Sequence, residues 1–168
     1  MPTLQDAVND FLAQQRIAVA GVSRASDAAA NLIYRRLRDA DYDVFAVNPA
    51  ATTVEGDPCF TDLASLPERP DGLVIATPPE AAPALVRACA DLGIPRVWMH
   101  RSFGTGSVSD EATDLGQKLG LTVIPGACPM MFLDPVDGGH TCIRWMLKWT
   151  GGLPKPVLPT DRPLGASA

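Results

Sequence analysis

Residues 17–24 read Ile17-Ala18-Val19-Ala20-Gly21-Val22-Ser23-Arg24, a short apolar run that ends at a glycine. Apolar residues then recur at positions 30, 33, 34 and 37, which is the spacing of one face of an α-helix. A run of this length, a glycine turn and an amphipathic segment together predict a strand followed by a helix. This unit is the first of several in the chain.

The same alternation occurs about five times, with further apolar runs at residues 44–47, 73–76, 97–99 and 121–124. Strands that are apolar throughout must be covered on both faces, which favours a parallel sheet with right-handed crossovers. We therefore predict an α/β fold: a Rossmann-like doubly wound parallel sheet of about five strands in a single domain.

Smaller features of the sequence complete this prediction. Thr3 and Asp6 have capping-box spacing before a leading helix, and Ser107 and Asp110 have the same spacing before the helix that precedes the fifth strand. Leu115 and Leu119 of that later helix are expected to face inward. Residues 50–58 are predicted to be a loop.

Length and composition limit the function. The chain has 168 residues, 46% of them hydrophobic, and a net charge of −5. We expect one domain over residues 1–150 and a tail, 151–168, whose proline and glycine content argues against regular structure. The acidic balance does not favour nucleic acid as a partner, and no apolar stretch is long enough to span a membrane. Four cysteines without CxxC spacing suit a reducing compartment, so we expect a cytoplasmic protein.

The residues that follow the strands are the candidates for a binding site, because ligands of open parallel sheets bind beyond the carboxyl ends of the strands. In this chain they are Gly21-Val22-Ser23-Arg24, Asn48-Pro49, Ile75-Ala76-Thr77-Pro78-Pro79, His100-Arg101-Ser102 and Cys128. Glycine lets backbone amides approach a pyrophosphate, and Ser23 and Arg24 add a hydroxyl and a cation. The sequence therefore predicts a phosphorylated nucleotide at this edge.

Two features argue against NAD as that nucleotide. The turn after Gly21 lacks the second glycine of the GxGxxG fingerprint. NAD-binding domains also place Asp or Glu at the end of the second strand, where this chain has Asn48. A neutral side chain there tolerates a phosphorylated ribose, as coenzyme A or NADP would require.

In these residues the chain resembles the small stand-alone CoA-binding proteins, whose domain is similar to the CoA-binding half of the succinyl-CoA synthetase α subunit. The resemblance covers about residues 17–129 and rests on motifs in a fixed order: Gly21-Val22-Ser23, Val47-Asn48-Pro49, Gly56, Thr77-Pro78-Pro79, Gly93 before Val97-Trp98, and Cys128-Pro129. It implies that coenzyme A is the cofactor. It also implies that Gly21, Ser23 and Arg24 hold the pyrophosphate, that Asn48 and Pro49 flank the adenosine, that residues 75–79 line the cofactor's path, and that residues 100–102 lie near the pantetheine.

The leading hypothesis is a CoA or acyl-CoA carrier, sensor or regulator without chemistry of its own. Three alternatives stay open: an NADP-dependent oxidoreductase, an acyl-CoA-processing enzyme that uses Cys128 or His100, and a subunit that completes a ligase with another chain. Cys128 is interpreted as a buried thiol on the crevice floor, with a mixed disulfide to the cofactor thiol as the alternative.

The region after residue 127 allows two further predictions. It contains several types of metal ligand, but without CxxC or HxxxH spacing we expect no metal: Cys128, Asp134, Asp137, His140 and Cys142. His140 is instead expected to be a packed or capping residue. The helix at 140–150 carries Cys142, Trp145 and Trp149 on a second apolar face, which predicts a homodimer through this helix, with cover by the tail as the alternative.

Overall fold

The computed structural model describes residues 3–157. Seven strands lie in this part of the chain: β1 (Arg16–Ala20), β2 (Asp43–Val47), β3 (Thr53–Val54), β4 (Asp57–Phe60), β5 (Gly72–Ile75), β6 (Arg96–Met99) and β7 (Thr122–Pro125). Five α-helices accompany them: α1 (Leu4–Leu12), α2 (Ala29–Asp39), α3 (Ala82–Leu92), α4 (Asp110–Lys118) and α5 (Gly138–Thr150).

The strands form one sheet in the order β3-β4-β2-β1-β5-β6-β7. All neighbouring pairs are parallel except β3 and β4. From β1 the chain builds outward through β2 to β4, and it then returns to the other side of β1 to place β5. This reversal makes the carboxyl ends of β1 and β5 the switch point of a doubly wound sheet. The predicted α/β, Rossmann-like fold is confirmed, with seven strands rather than about five.

The predicted loop at residues 50–58 is wrong, because most of it forms the β3–β4 hairpin. Glu55 and Gly56 link the two strands with positive φ angles of 52° and 82°. Two such residues in a row give the turn whose twist matches a tight hairpin. The hairpin brings β4 alongside β2 in parallel, with Ala46 opposite Cys59, and so extends the sheet.

Successive strand residues point alternately into two hydrophobic cores. Helices α1 and α2 cover one face, where the rings of Phe11 and Trp98 meet edge to face with centroids 5.4 Å apart. Helices α3 and α4 cover the other face, around Val86 and Val97. Coverage on both sides explains why the parallel strands read as unbroken apolar runs.

The helix termini confirm one capping prediction and contradict another. The capping box of Thr3 and Asp6 is present at α1. Helix α4 is instead capped by Ser109, whose side chain accepts from the N–H of Ala112. Ser107 is buried before the helix. Leu119 is the C-cap and is 39% exposed, so the prediction that it faces inward is also wrong.

The chain after α5 contacts the sheet once within the described residues. Val157 pairs with Val123 through two backbone hydrogen bonds of 2.8 Å, beside the edge strand β7. The rest of the predicted tail, 158–168, lies outside the described residues. Over residues 3–157, no helix has the length and apolar character that a membrane crossing requires.

Candidate functional site

The turn after β1 depends on Gly21. Its φ is 104°, and a Cβ added there would lie 2.5 Å from the carbonyl oxygen of Ala76. Glycine therefore allows the ends of β1 and β5 to approach each other at the switch point. The N–H of Gly21 donates to Val47 O (3.1 Å), and the N–H of Ser23 donates to Asn31 Oδ1 (3.0 Å). Because both amides donate hydrogen bonds within the protein, these two residues determine the shape of the turn and do not offer their N–H groups to a ligand.

The N-terminus of α2 follows this turn and suits an anion. Its N-cap, Ala28, has no side-chain hydrogen bond to the first turn of the helix. A helix start without a side-chain cap leaves N–H donors and the positive end of the helix dipole available to a phosphate. Arg24, which is exposed, lies between β1 and α2 and adds a positive charge.

Arg24 also lines a cavity at the carboxyl ends of β1, β2 and β4. The cavity has a volume of about 340 Å³, and residues 49–53 and Thr61 form the rest of its wall. We call it the Arg24 cavity. It contains Pro49, one of the residues that the sequence placed beside a nucleotide.

The side chain of Asn48 links the end of β2 to the turn that follows β1. Its side-chain Nδ2 donates to Val22 O, and its Oδ1 accepts from the N–H of Ala50, both at 2.8 Å. An aspartate could make the second of these bonds but not the first, and it would add a negative charge. Asn48 thus keeps this position neutral while it fixes the chain after β2.

A buried polar network connects the same turn to the β3–β4 hairpin. Asn31 on α2 has no exposed surface; its Nδ2 donates to Ser23 O (2.7 Å) and Glu55 Oε1 (2.6 Å). Glu55 also forms an ion pair with Arg35 at 2.8 Å. The hydrogen bond from Asn31, followed by that from Arg35, holds the pKa of the Glu55 carboxyl below its ordinary value. Asn31 is absent from the residues predicted from the sequence, because its only signal is a polar residue beside the apolar stripe of α2.

His100 follows β6 at the other half of the edge. Its N–H donates to Ile75 O at 2.8 Å, and its ring Nε2 lies 3.2 Å from Ser102 Oγ. Burial lowers the pKa of His100, and the charge of His140 lowers it further. His100 is therefore held as a neutral imidazole near pH 7.

Cys128 lies in the turn after β7, at the same half of the edge as His100. Gly126 and Ala127 have φ angles of 134° and 64°, and the indole N–H of Trp98 donates to Gly126 O at 2.8 Å. This bond anchors the turn to the core. Cys128 has no exposed surface, and burial raises the pKa of its thiol to about 11.

His140, near the start of α5, faces Cys128. The distance from Cys128 Sγ to His140 Nε2 is 4.0 Å, and His140 Nδ1 lies 2.5 Å from Asp137 Oδ2. Asp137 also caps α5, since its Oδ1 accepts from the N–H of His140 at 3.0 Å. The backbone and side-chain hydrogen bonds of His140, in that order, hold the pKa of Asp137 below its ordinary value. The structure thus places His140 beside the thiol, whereas the sequence analysis expected His140 to be a packed or capping residue and considered Cys128 or His100 for an acyl-CoA-processing role.

A second cavity opens beside these residues. Its volume is about 270 Å³, and its wall is formed by residues 101–104, Ala127, Leu147 and Gly152. We call it the Ser102 cavity. Strands in a sheet are about 4.8 Å apart, so the three to four strand spacings between the two cavities separate them by roughly 15–20 Å.

Another cavity lies away from this edge. It has a volume of about 550 Å³ and is lined by α2 residues and by residues of β2 and β4, among them Tyr34, Arg38, Asp43 and Asp57. Arg38 and Asp57 form an ion pair of 2.6 Å within it. Two of its charged groups therefore neutralise each other, which gives an anionic ligand little to bind. Among residues 3–157, no group of three or more His, Cys, Asp or Glu side chains is arranged to hold a metal ion.

Comparison with known proteins adds the decisive observation. The family model described as "CoA binding domain" matches residues 15–134. The chain belongs to this CoA-binding domain family. The sequence resemblance to CoA-binding domains is thereby confirmed.

The proteins to which this chain is similar differ greatly in length. Acetate–CoA ligase [ADP-forming] I of Archaeoglobus fulgidus is 33% identical over 73 residues, which is 44% of this chain but 11% of the ligase. The uncharacterized protein YneT of Bacillus subtilis is 25% identical over 114 residues, or 68% of this chain and 82% of that protein. A hypothetical protein from Pyrococcus horikoshii OT3 shares the fold with a TM-score of 0.69 at 23% identity, over 75% of this chain and 86% of the other. The chain thus spans about a tenth of the ligase and most of the two small proteins.

All the predicted site residues fall within the family match and follow β1, β2, β5, β6 or β7, except Ile75, which ends β5. Three of them, Val22, Ile75 and Cys128, have no exposed surface and lie beneath the edge in this conformation. Asp137 and His140 lie beyond residue 134, where the family match ends.

Proposed function

We propose that this protein binds coenzyme A or an acyl-CoA thioester along the carboxyl edge of the sheet. Membership of the CoA-binding domain family over residues 15–134 carries the proposal. Two cavities of about 340 and 270 Å³ on the same edge support it, because coenzyme A is a long molecule with phosphates near one end and a thiol at the other.

The nucleotide part occupies the Arg24 cavity in this proposal. Gly21, Val22 and Ser23 shape the turn, while Arg24 and the N-terminus of α2 bind the diphosphate. Asn48 and Pro49 flank the adenosine. The pantetheine arm then passes residues 75–79 and reaches His100, Arg101, Ser102 and Cys128 at the Ser102 cavity.

The role proposed for this binding is that of a carrier, sensor or regulatory module in the cytoplasm. The four cysteines are unpaired, as a reducing compartment favours. The relative from Archaeoglobus is named as an acetate–CoA ligase, and the segment matched is 11% of its length. What the two proteins share is therefore proposed to be the binding of coenzyme A.

Calorimetric titration with coenzyme A, dephospho-CoA, NAD and NADP tests the cofactor. Coenzyme A should bind, and Arg24→Ala should weaken binding about tenfold, since one hydrogen bond to a charged group contributes about 1.5 kcal/mol. Arg87→Ala, an exposed arginine on α3, is the matched control and should change nothing. No binding of coenzyme A, or tighter binding of NADP, would overturn the proposal, and the latter would favour the oxidoreductase.

Asn48→Asp tests the argument about the ribose phosphate. The new carboxylate should weaken binding of coenzyme A more than binding of dephospho-CoA, because only coenzyme A carries the 3′-phosphate. Any local disturbance from loss of the bond to Val22 O affects both ligands alike. An unchanged affinity ratio would mean that Asn48 does not face the phosphorylated ribose.

We also propose a homodimer through α5. Trp145 and Trp149 are 63% and 82% exposed, and their rings stack with centroids 5.7 Å apart and 11° between the planes. Large apolar surfaces of this kind are typical of interaction sites.

A further inference from the structure

Three side chains whose contacts a binding module does not need meet beyond the end of β7. The thiol of Cys128 faces Nε2 of His140, and Nδ1 of the same ring faces the carboxylate of Asp137, at 4.0 and 2.5 Å. A nucleophile, a base and a group that orients the base form the arrangement used in covalent catalysis, where the contact of nucleophile and base is often loose before substrate binds. The three residues come from two separate elements, the turn after β7 and the start of α5.

We propose that Cys128 accepts the acyl group of a bound acyl-CoA thioester, with His140 as the base and Asp137 as a positioning residue. The inference rests on the proposed binding of acyl-CoA, and it makes the protein a carrier to which the acyl group is covalently bound.

Transfer of the acyl group from coenzyme A to Cys128 requires no oxidant and no further reactant. His140 Nε2 takes the proton of the Cys128 thiol as the sulfur bonds to the thioester carbonyl carbon. The bond between that carbon and the sulfur of coenzyme A then breaks, and the leaving thiolate takes the proton from His140. One thioester is consumed and one is formed, and coenzyme A leaves as the free thiol.

The surroundings of the thiol explain why a base is required. Burial keeps Cys128 protonated at neutral pH, since its pKa is raised to about 11. A carboxylate at Nδ1 favours the tautomer that carries its proton there, which leaves the lone pair of Nε2 directed at the sulfur. The same carboxylate stabilises the imidazolium that forms during transfer.

The Ser102 cavity gives the acyl group a place near Cys128. Its wall includes Ala127, the residue before Cys128, and Ser102, whose hydroxyl contacts both the thiol and His100 Nε2. Cys128 has no exposed surface in this conformation and is not part of the cavity wall, so the reaction requires the side chains that cover the thiol, Ser102 among them, to move. Ser102 is followed by four exposed residues, 103–106, with Phe103 66% exposed, which leaves space for such a movement.

Incubation of the full chain with acetyl-CoA, in the presence of a phosphine reductant, tests the inference. Intact mass and peptide mapping should show one acetyl group on Cys128, removable by hydroxylamine, with one thiol of coenzyme A released per chain. Cys128→Ala should abolish both signals. Cys142→Ser should leave them unchanged, because Cys142 is the exposed cysteine at which spontaneous acylation would occur.

Two further variants separate the base from the positioning residue. His140→Gln should slow acylation by about 100-fold or more, the usual contribution of a general base. Asp137→Asn preserves an acceptor for the cap of α5 but removes the charge, so it should lower the rate constant of acylation while the dissociation constant of acetyl-CoA stays the same. Calorimetry with coenzyme A on each variant verifies that the site has folded.

The outcomes distinguish the two proposals. If acetyl-CoA binds but no acetyl group appears on Cys128, or the adduct maps to Cys142, the inference is overturned and the proposed binding survives. In a parallel incubation without the reductant, an adduct on Cys128 with the mass of coenzyme A and no acetyl adduct would also overturn it, in favour of a mixed disulfide. If coenzyme A and acetyl-CoA fail to bind at all, the proposed function fails and the inference fails with it.

Discussion

Gly21 lies where β1 and β5 end side by side. A side chain at this position would collide with backbone atoms, which cannot move away, and the collision would reduce the stability of the fold. Gly21→Ala should destabilise the protein by about 2–4 kcal/mol, because it combines an unfavourable φ with a Cβ 2.5 Å from Ala76 O. Gly56→Ala is the control: its φ is also positive, but no atom lies within 4 Å of the added Cβ, so it should cost about 1 kcal/mol. Urea unfolding measures both, and equal losses would contradict the steric explanation.

His100 should make stability depend on pH in a definite window. Burial lowers its pKa in the folded protein, with the charge of His140 as a second cause, whereas the unfolded chain has an ordinary value of about 6.5. As the pH falls below 6.5, the unfolded state binds a proton that folded His100 resists, so the free energy of unfolding decreases. Wild type should therefore lose more stability between about pH 6.5 and 5 than His100→Gln does.

Melting temperatures of both proteins at the two pH values measure this difference. The carboxyls with lowered pKa, such as Asp137, contribute stability that is lost below about pH 4.5 and so act outside the window. Parallel pH dependence in wild type and variant would contradict the assignment to His100.

At single residues, the sequence could indicate chemical type but not partners. The carboxyl-edge rule selected Asn48 and Cys128, yet the bonds of Asn48 to Val22 O and Ala50 depend on where two loops meet. The contact of Cys128 with His140 depends on how α5 returns to the sheet, and the helix periodicity of α5 fixes only which of its own residues share a face. The sequence therefore predicts a packed or capping role for His140 and gives no signal of its contact with the thiol.

At the level of elements, periodicity predicted the long helices and the five buried strands but not the hairpin. Strands β3 and β4 have two and four residues, too short for an alternating pattern to emerge. Their signal is the Glu55-Gly56 pair, which is weaker than Asn-Gly because glutamate adopts a positive φ less readily than asparagine does. The start of α4 was misplaced by two residues because Ser107 and Ser109 both offer a capping hydroxyl.

A buried ion pair joins α1 to the sheet. Asp10 of α1 and Arg96 of β6 join through contacts of 2.7 and 3.2 Å, and their side chains are 5% and 4% exposed. Asp10→Leu should cost about 3–5 kcal/mol, because it leaves a buried guanidinium without its carboxylate. The double variant Asp10→Leu/Arg96→Met should recover most of that loss, since two apolar side chains can replace a buried pair.

A double-mutant cycle in urea measures the coupling between the two residues. Glu68→Gln, which removes the exposed pair between Arg16 and Glu68, is the control and should cost less than about 1 kcal/mol. A double variant as unstable as the Asp10→Leu single variant would show that the site requires charge.

For the whole molecule, the sequence could place the candidate residues along one edge of the sheet, because that arrangement follows from topology. Parallel strands end on one side, so the residues after β1, β2, β5, β6 and β7 had to share an edge whatever their exact partners were. The distribution of space along that edge could not be predicted, because it depends on side chains packed from different elements. The Arg24 and Ser102 cavities each draw their walls from at least three segments of the chain.

The proposed dimer should be sensitive to substitutions on α5, because it is symmetric. A twofold interface uses the same face of α5 from both copies, so each substitution appears twice in the interface. Trp145→Glu/Trp149→Glu would place four carboxylates at a contact built from indole rings, and it should convert a dimer into a monomer. Leu32→Glu puts the same charge on an exposed apolar position of α2, 41% exposed, and should leave the dimer intact. Sedimentation at tens of micromolar measures the masses, and a monomeric wild type would mean that the two tryptophans are not a self-association surface.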